Sequence, residues 1–321
     1  MGVETVKLAE SKDQVQEFIK YLLKDIRAME RMLEDDLFET DIVRIGAEQE
    51  LCLVDKYAKP APISMALFHQ SVDTRQVGEH LRDSSPRVTF GNEWLKNSIL
   101  DIYKEDIARY RVILSSNVNE DADEILDRGE IPKLMALQVH NGTVYRWNRP
   151  CYGVSNGKPH LRIENRIFPS GPTVTDEIAN ASFWLGLLNG MEVHYPDISR
   201  ELDFDDARMN FIAASKLGLD TKFKWVNDKR YTAVELITQE LLPIAREGLE
   251  KAGVNKGDIT SYLDIIKERT EAAQTGSYWM VKSYNSLTKK DVTREQALTA
   301  SLLRRHHSEN NKESSENRQK E

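Results

Sequence analysis

Apolar residues recur every three or four positions along several long stretches of the chain, and this spacing predicts amphipathic helices. The first stretch covers residues 11–36, where Ser11 stands in the position of an N-cap. The same spacing predicts further helices over residues 66–81, 94–114, 176–193, 204–215, 232–252 and 259–273. Helices are therefore expected to dominate the second half of the chain.

Runs rich in β-branched and apolar residues predict strands in the first half, over residues 41–54, 134–139, 144–147 and 161–168. Two of these runs flank Asn141 and Gly142, which tolerate the positive φ angles of a type I′ turn, so a hairpin is predicted there. Strands that pair through a hairpin, and do not alternate with helices, are typical of an antiparallel sheet. The sequence thus predicts an α+β fold, with residues 1–300 as one domain and 301–321 as a disordered polar tail.

Composition narrows the functional classes. The net charge of −8 argues against a general nucleic-acid binder, whose affinity would come from a basic surface. The apolar runs are too short for a membrane span, and the N-terminus lacks the pattern of a signal peptide. Only Cys52 and Cys151 occur, so no disulfide framework is implied, and both are expected to be core or near-core residues. A cytoplasmic protein is expected.

Two carboxylates stand out in the strand predicted over residues 41–54. Side chains alternate between the faces of a strand, so Glu48 and Glu50 share one face while Leu51 and Leu53 share the other. Carboxylate oxygens are the ligands that Mg²⁺ prefers, and a pair on a rigid strand can hold such an ion. The alternative is the solvated face of an ordinary amphipathic strand.

The stretch HLRIENRIFPSGP repeats this arrangement with arginines. His160, Arg162, Glu164 and Arg166 share one face of the strand predicted over residues 161–168. Arginine binds phosphate or carboxylate oxygens through two parallel hydrogen bonds, and a glutamate between two arginines can ligate a metal. This row is suited to a metal-bound phosphoryl group, although a ladder of cross-strand salt bridges would have the same pattern.

Two further arginines lie among aromatic residues. Arg146 and Arg149 are close in sequence to Trp147 and Tyr152, and such a cluster could stack on a nucleotide and clamp it. Arginine beside aromatic rings is also common on protein surfaces. No Walker A sequence and no strand-linked GxGxxG is present, so a nucleotide would need another architecture.

Three segments together resemble the glutamate-cysteine ligase family: IGAEQELCLVD (45–55), HNGTVYRWNRPCYG (140–153) and HLRIENRIFPSGPTVTDEIANASFWLGLL (160–188). More broadly, they resemble carboxylate-amine ligases with a glutamine-synthetase-like fold. The resemblance implies a curved antiparallel sheet flanked by helices, with ATP and several Mg²⁺ ions bound inside. It also implies formation of γ-glutamylcysteine from glutamate and cysteine through an acyl phosphate, although related enzymes use other amines.

The resemblance assigns roles to individual residues. Glu48, Glu50 and Glu164 would be metal ligands. Arg162 and Arg166 would stabilise the transferring phosphoryl group or the acyl phosphate. Arg149 is a looser match to an arginine that faces the phosphates of the nucleotide, and Arg146 is named as a nucleotide contact only from the aromatic cluster above.

The chain departs from the family pattern after residue 65. Relatives continue past the equivalent of KPAPI (59–63) into further strands and carboxylates, whereas here Ser64 and Met65 run directly into ALFHQSVDTR (66–75). The sheet is therefore expected to be incomplete, which would expose strand edges and allow a homo-oligomer. The chain is then either a ligase, impaired or intact, or a non-catalytic remnant that binds a nucleotide or an amino acid. A natural deletion, an inactive paralogue and a truncated reading of a longer gene are all compatible with this pattern.

Overall fold

A computed structural model describes residues 6–9, 11–40, 43–46, 88–118, 120–168, 173–289 and 292–300. The described residues divide into two compact units: those up to Ile167 form what we call the first unit, and those from Phe168 onwards form the second unit. Both contain helices and short strands, so the fold is α+β as predicted. The single domain over residues 1–300 stays a prediction, because two compact units can serve one function.

The first unit is built around helix α1 (Lys12–Glu34). The side chain of Ser11 caps this helix by accepting a hydrogen bond from the amide of Gln14 at 3.2 Å, as the sequence predicts. One face of the helix enters the core through side chains at helical spacing: Phe18, Leu22, Ile26, Met29 and Met32. Three shorter helices share this core: α2 (Leu100–Arg109), α3 (Ala122–Asp127) and α4 (Met135–Gly142).

The strands of the first unit form small sheets. The described strands are β1 (Val6–Leu8), β2 (Val88–Thr89), β3 (Leu114–Ser116), β4 (Tyr145–Arg146), β5 (Asn148–Ser155) and β6 (Lys158–Asn165). Antiparallel pairs join β1 to β3 and β5 to β6, and β2 runs parallel to β4. Asn156 and Gly157 connect β5 to β6 with φ angles of 53° and 75°, which these two residue types tolerate best.

The hairpin predicted around Asn141 and Gly142 is wrong, because both residues belong to helix α4. The helix buries Leu137 and Val139 against the core. A carboxylate from α1, that of Asp25, accepts a hydrogen bond from the amide of Leu137 at 3.0 Å and satisfies a donor that the first turn leaves open. Tertiary capping thus overrides the local turn signal.

Other boundaries also differ from the predictions. The helix predicted over residues 94–114 covers only Leu100–Arg109, since the backbone becomes extended at Tyr110 and continues into β3. The strand predicted over residues 161–168 instead spans Lys158–Asn165. Of the strand predicted over residues 41–54, only residues 43–46 are described, and they lie in neither strand nor helix. The helix predicted over residues 66–81 and the tail lie outside the described residues.

The helices predicted for the second unit are confirmed. They are α5 (Val174–His194), α6 (Phe204–Leu217), α7 (Ala233–Glu235), a π-helical segment (Leu236–Leu241), α8 (Leu242–Lys251) and α9 (Lys256–Glu271). A further helix, α10 (Gly276–Thr288), and residues 294–300 are helical as well. Strands β7 (Lys222–Lys224) and β8 (Arg230–Thr232) form an antiparallel pair.

Glycines let α5 and α8 pack at very short range. A Cβ atom on Gly186 would overlap the backbone carbonyl of Ala245, and one on Gly190 would overlap that of Ile244. On the facing helix, a Cβ on Gly248 would overlap the backbone of Gly186 and Gly190. The backbones therefore touch where other helix pairs interpose side chains. The core beside this crossing is apolar, with Ala179, Leu249, Leu263 and Ile266 among its members.

Each sheet among the described residues has two strands. The larger sheet implied by the family resemblance stays a prediction. Across the same residues, no helix combines the length and apolar character needed to cross a bilayer.

Candidate functional site

A cleft of about 500 Å³ lies in the first unit beside the β5–β6 hairpin. This volume is within the roughly 300–1,000 Å³ found for small-molecule sites. Its polar lining comes from the hairpin and from helices α2 and α4, and includes Tyr103, Gln138, Asn141, Arg149, Arg162 and Glu164. Three of the residues selected from the sequence, Arg149, Arg162 and Glu164, thus meet in one cleft.

The register of the hairpin explains why these side chains converge. Arg149 lies directly opposite Glu164, and Cys151 lies opposite Arg162. Directly opposed residues of an antiparallel pair project from the same face, and so do residues two apart on one strand. All four side chains therefore share one face. Tyr152 and its partner Leu161 occupy the other face and pack against the core of the unit.

Glu164 is held by two arginines. Its Oε2 accepts a hydrogen bond from Nε of Arg149 at 2.7 Å, and its Oε1 accepts one from Nε of Arg166 at 3.0 Å. Burial alone would raise the pKa of Glu164, but the hydrogen bonds and charges of Arg166 and Arg149 outweigh it and hold the pKa below its usual value. The guanidinium of Arg166 also lies 4.7 Å from the centre of the Tyr145 ring. The row of arginine and glutamate is thus a cross-strand salt-bridge network.

Arg162 differs from these neighbours, since its guanidinium makes no hydrogen bond or ion pair with any described residue. The side chain is exposed and lines the cleft. It passes close to Gly153, where a Cβ atom would lie 3.0 Å from one of its terminal nitrogens. The cleft lining holds the charges of Arg149, Arg162 and Glu164, so one positive charge is left without a balancing carboxylate.

Tyr103 also lines the cleft, although sequence patterns did not indicate it as a candidate site residue. This residue of α2 is 2% exposed, and its hydroxyl has no hydrogen-bond partner among the described residues. Burial, and the nearby thiol of Cys151, raise the pKa of the Tyr103 hydroxyl, whereas the charges of Arg149 and Arg162 act in the opposite direction. The hydroxyl therefore lies within electrostatic range of both arginines. No local pattern could have revealed it, because a missing partner is a property of the tertiary structure.

Arg146 has contacts of a different kind. It is 8% exposed, and its Nε and terminal nitrogen donate to Oδ1 of Asp106 at 3.0 and 2.6 Å. A third hydrogen bond reaches Oε2 of Glu105 at 2.8 Å. Burial would lower the pKa of Arg146, but these acidic partners raise it instead. Arg146 does not line the cleft, and its contacts are those of a core ion pair. A nucleotide contact by Arg146 stays a prediction.

Of the three predicted magnesium ligands, the structure describes Glu164. Glu48 and Glu50 lie outside the described residues. Among the described ones, no group of three or more histidine, cysteine, aspartate or glutamate side chains is arranged to hold a metal ion. Glu164 alone, already bonded to two arginines, does not fit Mg²⁺, which takes about six oxygen ligands. The described residues by themselves thus do not form the implied metal centre.

Cys151 lies in the same hairpin face but has the properties of a core residue. It is 7% exposed, and its thiol lies 3.6 Å from Oε2 of Glu164. Burial raises the pKa of the thiol, so it stays protonated at neutral pH. The burial of Cys151 agrees with the prediction of a core or near-core cysteine.

Comparison with models of known protein families, with curated proteins and with solved structures found no match for this chain. The family resemblance therefore remains a prediction carried by the quoted segments.

Proposed function

We propose that this chain is an ATP-dependent carboxylate-amine ligase of the glutamate-cysteine type, which joins the γ-carboxylate of glutamate to the amine of cysteine or of another acceptor. The observation that carries the proposal is the meeting of Arg149, Arg162 and Glu164 in one cleft. These are three of the residues to which the family resemblance assigns phosphate or metal contacts. A glutamine-synthetase-like sheet and a cytoplasmic setting belong to the same proposal.

The uncompensated guanidinium of Arg162 is the group best suited to the chemistry. In the first step, a carboxylate oxygen of glutamate attacks the γ-phosphorus of ATP, ADP leaves, and an acyl phosphate forms. In the second step, the acceptor amine attacks the acyl carbon, loses a proton, and phosphate leaves. Both steps gather negative charge on oxygen atoms, and a fixed guanidinium stabilises such charge.

Arg149, Arg166 and Glu164 act together in this proposal. Their salt bridges hold the hairpin face rigid, which fixes the backbone position from which Arg162 enters the cleft. Magnesium, when bound, would neutralise phosphate charge, but its ligands would have to include Glu48 and Glu50.

A second candidate is a non-catalytic protein that binds an amino acid or a nucleotide in the same cleft. Two observations favour it. After residue 65 this chain lacks a block that the family pattern contains, and Glu164 is engaged by two arginines and is not free for a metal. This protein could also form a homo-oligomer through strand edges. The two candidates share the binding site and differ in turnover.

ADP release by the purified chain with ATP, Mg²⁺ and glutamate, with and without cysteine, distinguishes the two candidates. We expect release that requires both amino acids, and we expect Arg162→Met to lower its rate by about 100-fold or more, as loss of an oxyanion-stabilising donor does elsewhere. Arg128→Met is the matched control, because Arg128 is exposed and its ion-pair partner among the described residues is nearby Glu130. A folded wild-type protein that binds glutamate without releasing ADP would favour the binding protein. An unchanged rate in Arg162→Met would remove Arg162 from the mechanism.

A further inference from the structure

The cleft of the first unit is lined by two residues whose polar groups have no partner among the described residues, Tyr103 and Arg162. The hydroxyl of Tyr103 is enclosed and has no hydrogen-bond partner among the described residues, so no described group satisfies it. The guanidinium of Arg162, in the same cleft, has no ion-pair partner among them. A buried hydroxyl without a partner destabilises a fold, and an isolated positive charge attracts an anion. One negatively charged ligand would satisfy both groups.

A second tyrosine in the same cleft shows how the first unit treats a structural hydroxyl. Tyr152 is 4% exposed, and its hydroxyl donates to the backbone carbonyl of Pro132 at 2.6 Å. Both tyrosines line the cleft and both are buried, yet only the hydroxyl of Tyr152 has a partner among the described residues. The contrast separates a hydroxyl that stabilises the fold through a hydrogen bond from one that makes no such bond.

We propose that Tyr103 and Arg162 form a subsite for a carboxylate, in which the Tyr103 hydroxyl donates a hydrogen bond to one oxygen while Arg162 pairs with the charge. The single unbalanced positive charge of the lining matches a monoanionic carboxylate better than a phosphate dianion. For the identity of the ligand as glutamate, this inference rests on the proposed function. Tyr103 thereby becomes a residue that selects the acid substrate.

The test is a comparison of Tyr103→Phe with Tyr152→Phe in the full chain. Each change removes one hydroxyl and keeps the ring, so packing is preserved in both. Glutamate and inorganic phosphate serve as separate probes in isothermal titration calorimetry, and thermal unfolding without ligand gives the stability of each variant. The unfolding of the free protein is the readout that a purely structural role of Tyr103 would alter.

We expect opposite results from the two variants. Tyr103→Phe should leave the unfolding midpoint unchanged or raised, because an unsatisfied hydroxyl is lost, and should weaken glutamate binding about tenfold or more. Tyr152→Phe should lower the midpoint, because the carbonyl of Pro132 loses its donor.

Three outcomes would overturn the inference: a lowered midpoint with unchanged affinity in Tyr103→Phe, hydroxyl-dependent binding of phosphate but not glutamate, or no binding of either probe by the wild-type chain. The outcome is separable from that of the proposed function. Hydroxyl-dependent glutamate binding without ADP release supports the subsite and contradicts the ligase. ADP release by the wild-type chain, together with full glutamate affinity in Tyr103→Phe, supports the ligase and contradicts the subsite.

Discussion

The two compact units bury different kinds of side chain. In the first unit, Asp25, Asp106 and Arg146 are each at least nine-tenths buried, whereas the described core of the second unit holds no charged residue. The second unit instead brings two helix backbones into direct contact through glycines. Buried charges make the stability of a unit depend on pH and on the ion-pair partners of those charges, whereas close backbone packing makes it depend on side-chain volume at the contact. The stability of the first unit thus depends more on electrostatic interactions, and this unit also contains the cleft.

The largest expected effect comes from breaking the core ion pair of the first unit. Arg146→Met would leave the carboxylate of Asp106 buried without its partner, and we expect a loss of about 4 kcal/mol in the free energy of unfolding. Urea denaturation measures the total loss, and amide hydrogen exchange assigns it to peptides of the first unit.

The double variant Arg146→Met with Asp106→Leu sharpens this prediction. It removes both charges and gives the first unit an apolar core like that of the second, so most of the lost stability should return. If the double variant is as unstable as Arg146→Met alone, the ion pair is not the source of the loss. Unchanged glutamate affinity in the double variant would place Arg146 outside the binding site.

The next effect is a pH dependence that the second unit should lack. Burial raises the pKa of Asp25 from 3.8 to about 7, despite the opposing hydrogen bond from Leu137. The folded protein therefore binds this proton more tightly than the unfolded chain, so the stabilisation is complete below about pH 4 and is lost as pH rises through about 7. At 1.36 kcal/mol per pH unit, the wild-type chain should lose roughly 4 kcal/mol across this window.

Asp25→Asn tests this assignment, because an amide mimics the protonated acid and its oxygen can still accept from Leu137. The difference in unfolding free energy between variant and wild type should grow in favour of the variant from pH 4 to pH 8. A constant difference across this range would show that Asp25 does not titrate within it.

The smallest effect tests packing in the second unit. Gly248→Ala inserts a methyl group against the backbone of Gly186 and Gly190, and we expect a loss of about 2 kcal/mol in unfolding free energy that does not vary with pH. Gly142→Ala is the matched control, because a Cβ there meets nothing within 4 Å. Helix propensity alone favours alanine over glycine, so only steric overlap explains a loss that is confined to Gly248→Ala. Equal losses from both variants would mean that the crossing of α5 and α8 is not their source.

Sequence patterns predicted the long helices well because their signal is local. The periodic apolar face and the Ser11 cap identified α1, and the helices after residue 173 followed the same rule. Two of the three Asn-Gly pairs show the limit of such signals. Asn156-Gly157 makes the turn, whereas Asn141-Gly142 lies in a helix that Asp25 caps from a distant part of the chain.

The candidate site was predictable only in part for the same reason. Strand alternation placed Arg162 and Glu164 on one face, and the hairpin then added Arg149. The burial of Arg146 depends on Asp106, forty positions earlier, and the isolation of the Tyr103 hydroxyl depends on everything around it. A sequence shows which groups are present, but it does not show which of them find partners.

The hairpin of β5 and β6 also bears on the order of folding. Every pair in its ladder is local, from Ser155 with Lys158 out to Asn148 with Asn165, and hairpins close within microseconds. Arg149, Arg162 and Glu164 can therefore reach their relative positions before long-range contacts form. Tyr103 arrives only when α2 packs against this face. The charged residues of the hairpin are thus expected to reach their positions before the Tyr103 hydroxyl does. The carboxylate subsite would then be the last part of the first unit to be assembled.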